Sequence, residues 1–331
     1  MNLAVEAPRG IGSKKTPFGV LMVKSQPSLI IPAKIGIIGY GIVGQALAYG
    51  FSKVSRGKDQ IFYYDKYKDS LPLEEVIARS EFVFIALPSP MMEDESGIDL
   101  SIVEESIKEI TKYTNGTNKI IIVKSTVTPG TTTRFEKKYK SSKFAFNPEF
   151  LTEANFLDDF LNAEKTIIGA NDDLVARRIA VLYKQRFPKT TIYQTDPTTA
   201  ESVKYFANVY LATKVTFANF FYDFCQKIGI KYEEVKKMAA TDPRIVDSHL
   251  DVTTVRGFGQ KCLPKDLVAL IGEFKKHKVN VSLFEAVWEY NKKIRKIHDW
   301  IDVPFAVSGN HIKLQKNKRT NYKHLNKLIY S

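Results

Sequence analysis

The sequence predicts an α/β fold, a Rossmann-type doubly wound parallel sheet followed by a helical domain built on one long helix. Three observations carry this prediction. Short apolar runs alternate with helix-compatible segments through the first 196 residues, the pattern of right-handed β–α–β crossovers. The first run leads into Gly39-Tyr40-Gly41-Ile42-Val43-Gly44, a glycine loop placed between a strand and a helix. From Thr198 to Ile228 no Gly or Pro interrupts a segment with apolar residues at helical spacing.

The elements follow in order. Residues 1–33 show no sustained period and read as an N-terminal extension. Apolar runs at 34–39, 61–64, 82–87, 119–123, 143–146 and 166–169 are predicted strands, short and continuous enough to be buried on both faces. Helices are predicted at 42–51, 100–113 and 172–184. The first domain therefore spans 34–196. At its end Asp196-Pro197 offers an N-cap followed by proline, and Thr198 with Glu201 fits a capping box. The helix that follows runs about 30 residues, or about 45 Å. It is apolar around much of its girth and should be buried on several sides. Shorter helices are predicted at 232–240, 265–278 and 283–300, which closes a central domain at 197–301. Residues 302–331 form a basic tail, with Lys313, Lys316, Lys318, Arg319, Lys323 and Lys327 and no acid among them. Such runs are ordinarily solvated.

Composition limits the function classes. With 331 residues, 44% of them hydrophobic, global disorder is excluded. Two cysteines make no disulfide scaffold and suit a reducing, cytoplasmic setting. No apolar run is long enough to cross a membrane, and residues 1–32 lack a signal-peptide pattern. Lys+Arg 49 against Asp+Glu 36 gives a net charge of +13. No nucleic-acid motif accompanies it, so an anionic small molecule is the expected partner rather than a specific nucleic acid. No His–Cys spacing suits zinc, and no metal is expected.

The glycine loop points to a dinucleotide. Gly39 permits the tight turn, Gly41 lets backbone approach a pyrophosphate, and Gly44 allows close helix–strand packing. The N–H groups of Ile42, Val43 and Gly44 open the helix toward the anion. Asp65 ends the next strand, at the interval expected for an acid on the adenosine ribose. An acid there repels a 2′-phosphate, so NAD is predicted over NADP.

Four segments carry further chemistry. Residues 124–130 (Lys-Ser-Thr-Val-Thr-Pro-Gly) place Thr126 at the carboxyl edge of the sheet. Residues 147–153 contain Glu149 and Glu153, which share a face if they lie on a helical turn. Paired carboxylates of this kind are usually solvated surface. Lys204 and Asn208 are four apart in an apolar stretch of the long helix, where a lysine needs a partner. In residues 257–266 (Gly-Phe-Gly-Gln-Lys-Cys-Leu-Pro-Lys-Asp), Cys262 sits among Lys261, Lys265 and a helix start expected near Lys265, which would favour its thiolate. Cys225, on an apolar helix, reads as core.

Together these segments resemble the UDP-glucose/GDP-mannose dehydrogenase family from Lys34 to about Arg295, with residues 86–90 and 242–245 matching in addition. The resemblance implies NAD-dependent, four-electron oxidation of a nucleotide sugar's hydroxymethyl group, through a thiohemiacetal and thioester on Cys262. It implies that Lys204 and Asn208 steady the oxyanion, that Asp266 and Glu149 move protons and activate water, and that Thr126 positions that water. Ser89, Thr126, Glu153 and Lys265 would contact the cofactor. Glu149, Phe150, Leu151, Lys204 and Asn208 would face the substrate, cradled by Arg244 and by backbone from Thr253 to Gly259, with Gly257, Phe258 and Gly259 in it. A homodimer through the long helix is implied as well. Two departures stand out: Gln260 replaces a usual glycine, and about 35 residues follow the last matching helix where the family continues into a further α/β domain. The alternatives are a two-electron β-hydroxyacid dehydrogenase, which needs neither Cys262 nor the Glu149 segment, and a non-catalytic NAD-binding scaffold.

Overall fold

A computed structural model describes residues 30–309. The basic cluster from Lys313 to Lys327 and most of the N-terminal extension lie outside the described residues. Seven strands form one sheet in the order β2-β1-β3-β4-β5-β6-β7. They are β1 (Lys34–Ile38), β2 (Gln60–Tyr64), β3 (Phe82–Ile85), β4 (Ile120–Val123), β5 (Lys143–Phe146), β6 (Lys165–Gly169) and β7 (Thr191–Thr195). β1 to β5 are parallel. The doubly wound parallel sheet is as predicted, with one antiparallel step, where β6 meets β5 through the single pair Phe146 opposite Gly169. The intervening α5 (Phe156–Leu161) has 6 residues, about 9 Å of helix, too little to carry the chain back along a full strand.

Alternation along each strand decides which helices it binds. Ile35, Ile37, Phe84, Ile120, Ile122 and Ala145 face one layer of apolar side chains. That layer comes from α1 (Ile42–Ser55), α5 and α6 (Asp173–Arg186). Ile38, Val83, Ile85, Ile121, Val123 and Phe144 face the other, supplied by α2 (Leu73–Arg79), α3 (Ser101–Thr114) and α4 (Thr131–Lys138). A strand buried on both faces needs apolar side chains at every position, which is why these runs read as continuous. Each fully buried Ile or Phe contributes about 1.5–3 kcal/mol.

A buried ion pair ties the first layer together. Arg186 of α6 makes a two-pronged contact with Asp59 and donates to Ile31 O at 2.9 Å, and both charged side chains are almost wholly buried. Asp59→Ala would strand the guanidinium in apolar surroundings, and a loss of about 3–5 kcal/mol is expected. Urea unfolding checks this; a shift below about 1 kcal/mol would show that water reaches the site.

The long helix, α7, spans Pro197–Ile228, about 48 Å. Asp196 caps it by accepting from Thr199 N at 2.9 Å, and Gly229 ends it at φ +77°. The expected capping box with Glu201 does not form. Glu201 instead reaches across to α4, accepting from Gly130 N at 2.5 Å and Thr132 N at 2.8 Å. Glu201 lies beyond the first turn of α7, whereas α4 has no side-chain cap of its own.

Around α7 pack α8 (Tyr232–Ala239), α9 (Cys262–Lys276) and α10 (Ser282–Ile294). α9 begins at Cys262 rather than near Lys265. α10 stops at Ile294 rather than 300, because Arg295 turns extended and its side chain folds onto Asp299 at 2.9 Å. Residues 302–309, grouped with the tail on composition, pack on the body: Ala306 is buried and accepts from Met91 N at 2.8 Å. Cys225 is fully buried core.

Candidate active site

The glycine loop leaves β1 at the carboxyl edge of the sheet. Gly39 has φ +94°, and a Cβ there would lie 2.5 Å from Ala86 O. A Cβ on Gly44 would lie 2.1 Å from Gly39 O, while Gly41 faces open space. α1 opens at Gly41 without a side-chain cap, so the N–H groups of Ile42, Val43 and Gly44 begin a helix whose positive end is available to an anion. Asp65, at the tip of β2, accepts from Tyr40 N at 2.8 Å and Tyr67 N at 2.9 Å. A carboxylate has about four acceptor sites, which leaves two for ribose hydroxyls. Loop, uncapped helix and acid fit a dinucleotide on these grounds.

A single cavity of about 820 Å³ runs from this loop to the cysteine segment. Gly39, Gly41, Ile42, Val43, Asp65 and Ser89 line it, as do Thr126, Glu149, Leu151, Glu153, Lys204, Cys262, Lys265 and Asp266. The tips of β1 to β5 supply the first set and the Glu149 turn, whereas α7 and α9 supply the catalytic lysine, cysteine and aspartate candidates. Ser125 joins two of these tips, with its Oγ accepting from Leu87 N at 2.9 Å.

Glu149 and Glu153 do not share a helical turn. Pro148 leads into irregular backbone, and Leu151 N donates to Glu149 Oε2 at 2.8 Å. Lys204 Nζ donates to Glu149 Oε1 at 2.9 Å and to Glu149 O at 2.7 Å. Burial alone would raise the Glu149 carboxyl, but Lys204 and the Leu151 N–H hold it below the usual range. Burial would likewise lower Lys204, yet Glu149, Asp266 and Cys262 keep it above its ordinary value and charged. Burial raises Glu153, partly offset by Lys261. Phe150 lies beneath Lys204, its ring 5.5 Å from Nζ. Asn208 Nδ2 donates to Asp266 Oδ2, and Lys265 Nζ also turns onto Asp266.

Cys262 differs from its expectation. Burial pushes its thiol up to about 11, with Glu149 and Asp266 adding to the rise and Lys204 and Lys265 opposing it. Of the two lysines that suggested a thiolate, Lys265 is already paired with Asp266, so its field largely cancels, and burial lowers Lys261. The resting group is a neutral thiol. Alkylation of Cys262 by iodoacetamide should therefore quicken about tenfold per pH unit from 7 to 10, following the thiolate fraction. Peptide mass spectrometry reads this, and a plateau below pH 8 would contradict it.

The substrate cradle expected from residues 244–259 is only partly present. Arg244 lies on the surface, its side chain 87% exposed and paired with Asp242, and it does not enter the cavity. The Phe258 side chain is buried against Trp288, so only its backbone could serve a ligand. Gly257 and Gly259 are needed for packing: a Cβ would meet Asn291 Oδ1 at 2.3 Å or the Arg295 guanidinium at 2.1 Å. Gln260, where glycine was expected, adopts φ +60° and donates its N–H to Asp299 Oδ2 at 3.1 Å.

Sequence reading passed over Lys124. It is buried, lines the cavity, and donates to Asn147 Oδ1 at 2.9 Å. Burial pulls it down to about 7, opposed by Glu149 and assisted by Lys204. A lysine closing the run Ile-Ile-Ile-Val was the available signal. Val303, Pro304 and Phe305 also line the cavity and had no local signal. Among the described residues no cluster of three potential metal ligands occurs, and no helix is long and apolar enough to cross a membrane.

Comparison with known proteins points to one family. Residues 59–187 match the "UDP-glucose/GDP-mannose dehydrogenase family, NAD binding domain", and residues 198–293 match that family's central domain. The UDP-glucose 6-dehydrogenase TuaD of Bacillus subtilis is 34% identical over 72% of this chain and 51% of its own length. A UDP-glucose 6-dehydrogenase of Campylobacter jejuni is 30% identical over 80% of this chain and 72% of its own. A solved UDP-glucose dehydrogenase from Pyrobaculum islandicum superposes with a TM-score of 0.72 at 27% identity, covering 80% of this chain and 70% of that one. The chain spans about half the length of most curated relatives it matches.

Proposed function

The chain belongs to the UDP-glucose/GDP-mannose dehydrogenase family, and from that premise we propose that it oxidises the primary alcohol of a nucleotide sugar to a carboxylate, with NAD as acceptor and UDP-glucose as the leading substrate. The observation that supports this most is the continuity of one cavity from the glycine loop to Cys262, Lys204, Glu149 and Asp266. Two NAD molecules bound in turn would each accept one hydride, one at each oxidation.

The chain's own residues account for the remainder. Cys262 Sγ adds to the aldehyde carbon as its proton leaves, forming a C–S bond and a thiohemiacetal. Loss of the second hydride gives a thioester, and water then cleaves the C–S bond to release the acid and restore the thiol. Asp266 and Glu149, the carboxylates that weigh on the Cys262 thiol, are the proton carriers in this proposal. Lys204 uses Nζ donors on Glu149 Oε1 and O, which leaves a third ammonium proton for a developing oxyanion. Asn208 commits one amide hydrogen to Asp266 and keeps another. Such preorganised donors are worth about 3–4 kcal/mol each in comparable sites.

The test counts NADH against sugar consumed, with UDP-glucose, GDP-mannose and UDP-N-acetylhexosamines. Two NADH per sugar is expected. One per turnover would favour a two-electron dehydrogenase, and no turnover despite NAD binding would favour a scaffold.

A homodimer through α7 belongs to the same proposal. Phe206, Tyr210, Phe217, Phe220 and Phe224 recur along α7, each at least half exposed, a larger apolar stripe than a solvated helix carries. Light scattering at micromolar concentration is expected to give twice the 37.6 kDa chain mass, and Phe217→Glu should shift it toward the monomer. A monomeric wild type would remove this part of the proposal.

A further inference from the structure

The segment that follows α10 crosses from the helical domain to the sheet domain over the mouth of the cavity. Trp300 packs on Trp288 with ring centroids 5.1 Å apart. Beyond it, Met91 N donates to Ala306 O at 2.8 Å and Ser308 N to Met91 O at 2.7 Å. Ser308 Oγ donates to Asp99 Oδ2 at 2.9 Å. Between these anchors, Val303, Pro304 and Phe305 line the cavity. Phe305 has φ +60°, a conformation costly for a bulky residue and kept only where its surroundings hold it. Its ring stands 6.0 Å from that of Tyr67, tilted by 45°.

We propose that residues 302–308 form a strap that walls the adenine end of the dinucleotide site, with Phe305 and Tyr67 as the aromatic surface against which the purine lies. The inference rests on the dinucleotide reading of the glycine loop and adds the chain segment that completes it. Two features give the strap its end of the cavity. Tyr67 is two residues beyond Asp65, its backbone N–H donates to that carboxylate at 2.9 Å, and it lines the same cavity as the acid expected on the adenosine ribose. The reacting end is marked instead by Cys262 and Lys204, which come from α9 and α7. Tyr67 is 54% exposed, with Lys66 Nζ 5.9 Å from its ring, which leaves aromatic surface beside the cavity for a flat base to cover. The two rings are tilted and close, so they offer one wall rather than a sandwich.

Calorimetric titration with ADP and with nicotinamide mononucleotide separates the two ends. Phe305→Ala and Tyr67→Ala are each expected to weaken ADP about tenfold, the scale of base–aromatic stacking. Nicotinamide mononucleotide should stay within twofold. Tyr67 is exposed, so its variant keeps the test open if Phe305→Ala unfolds, which thermal melting monitors. ADP binding unchanged in both variants would overturn the strap alone. Equal weakening of both ligands would also overturn it, by showing a general collapse of the site. A wild type that binds no ADP would overturn the strap together with the dinucleotide reading.

Discussion

Cys262→Ser is expected to lower net acid formation by about a thousandfold or more, with NADH yield falling from two per sugar toward one. The hydroxyl fits the space of the thiol, so the cavity and NAD affinity should persist. A serine hydroxyl, however, is a far weaker nucleophile than a thiol, and among the described residues no histidine lines the cavity to activate it. The first oxidation does not need the nucleophile, whereas the second needs a tetrahedral adduct from which hydride can leave. Coupled assays for NADH and for the uronic acid separate the two steps. Retention of both yields in Cys262→Ser would remove the covalent step and return the two-electron reading to first place.

Asp299→Ala is expected to cost about 3–5 kcal/mol and to disable catalysis without touching any residue of the cavity. Asp299 and Arg295 are buried together, with Arg295 Nε on Asp299 Oδ1 at 3.0 Å. Arg295 also donates to Arg256 O at 2.8 Å, and Asp299 accepts from Gln260 N. The pair therefore holds both ends of the loop that leads to Cys262. Removing the carboxylate leaves a guanidinium desolvated and unpaired, the costly way to break a buried bridge, and frees backbone two residues before the nucleophile. Chemical denaturation should show the stability loss. Activity measured well below the unfolding transition should remain depressed, because a misplaced thiol lowers kcat even in folded protein. Asp299→Asn, which keeps an acceptor, should recover part of both. Full activity at unchanged stability in the alanine variant would show that the loop holds itself.

Much of this was legible along the chain. The strands read clearly because burial on both faces demands unbroken apolar runs, and the glycine loop because a turn that tight excludes side chains at Gly39 and Gly44. The long helix read well because Asp196, Pro197 and Gly229 are local punctuation. Failures occurred where a side chain spends its hydrogen bonds far away. Glu201 looked like a cap for its own helix and caps α4, and the shared face that Glu149 and Glu153 would have on a helical turn is absent, with the Glu149 oxygens held by Lys204 and Leu151 N.

What the sequence determined by itself was the set of short-range devices: strand period, glycine turn, helix caps, and the inventory of chemically able residues. Tertiary structure alone decided the charge state of that inventory. Cys262 sits beside Lys261 and Lys265 in the chain, which argues for a thiolate, but folding buries the sulfur, brings Glu149 near it and pairs Lys265 with Asp266, so the neutral thiol prevails. Folding likewise brought Lys124 down to about 7 and carried Phe305 to Tyr67 across 238 positions of chain. The physical reason is range: hydrogen-bonded turns depend on neighbours a few residues away, while desolvation and electrostatic pairing depend on whatever the fold places within a few ångströms.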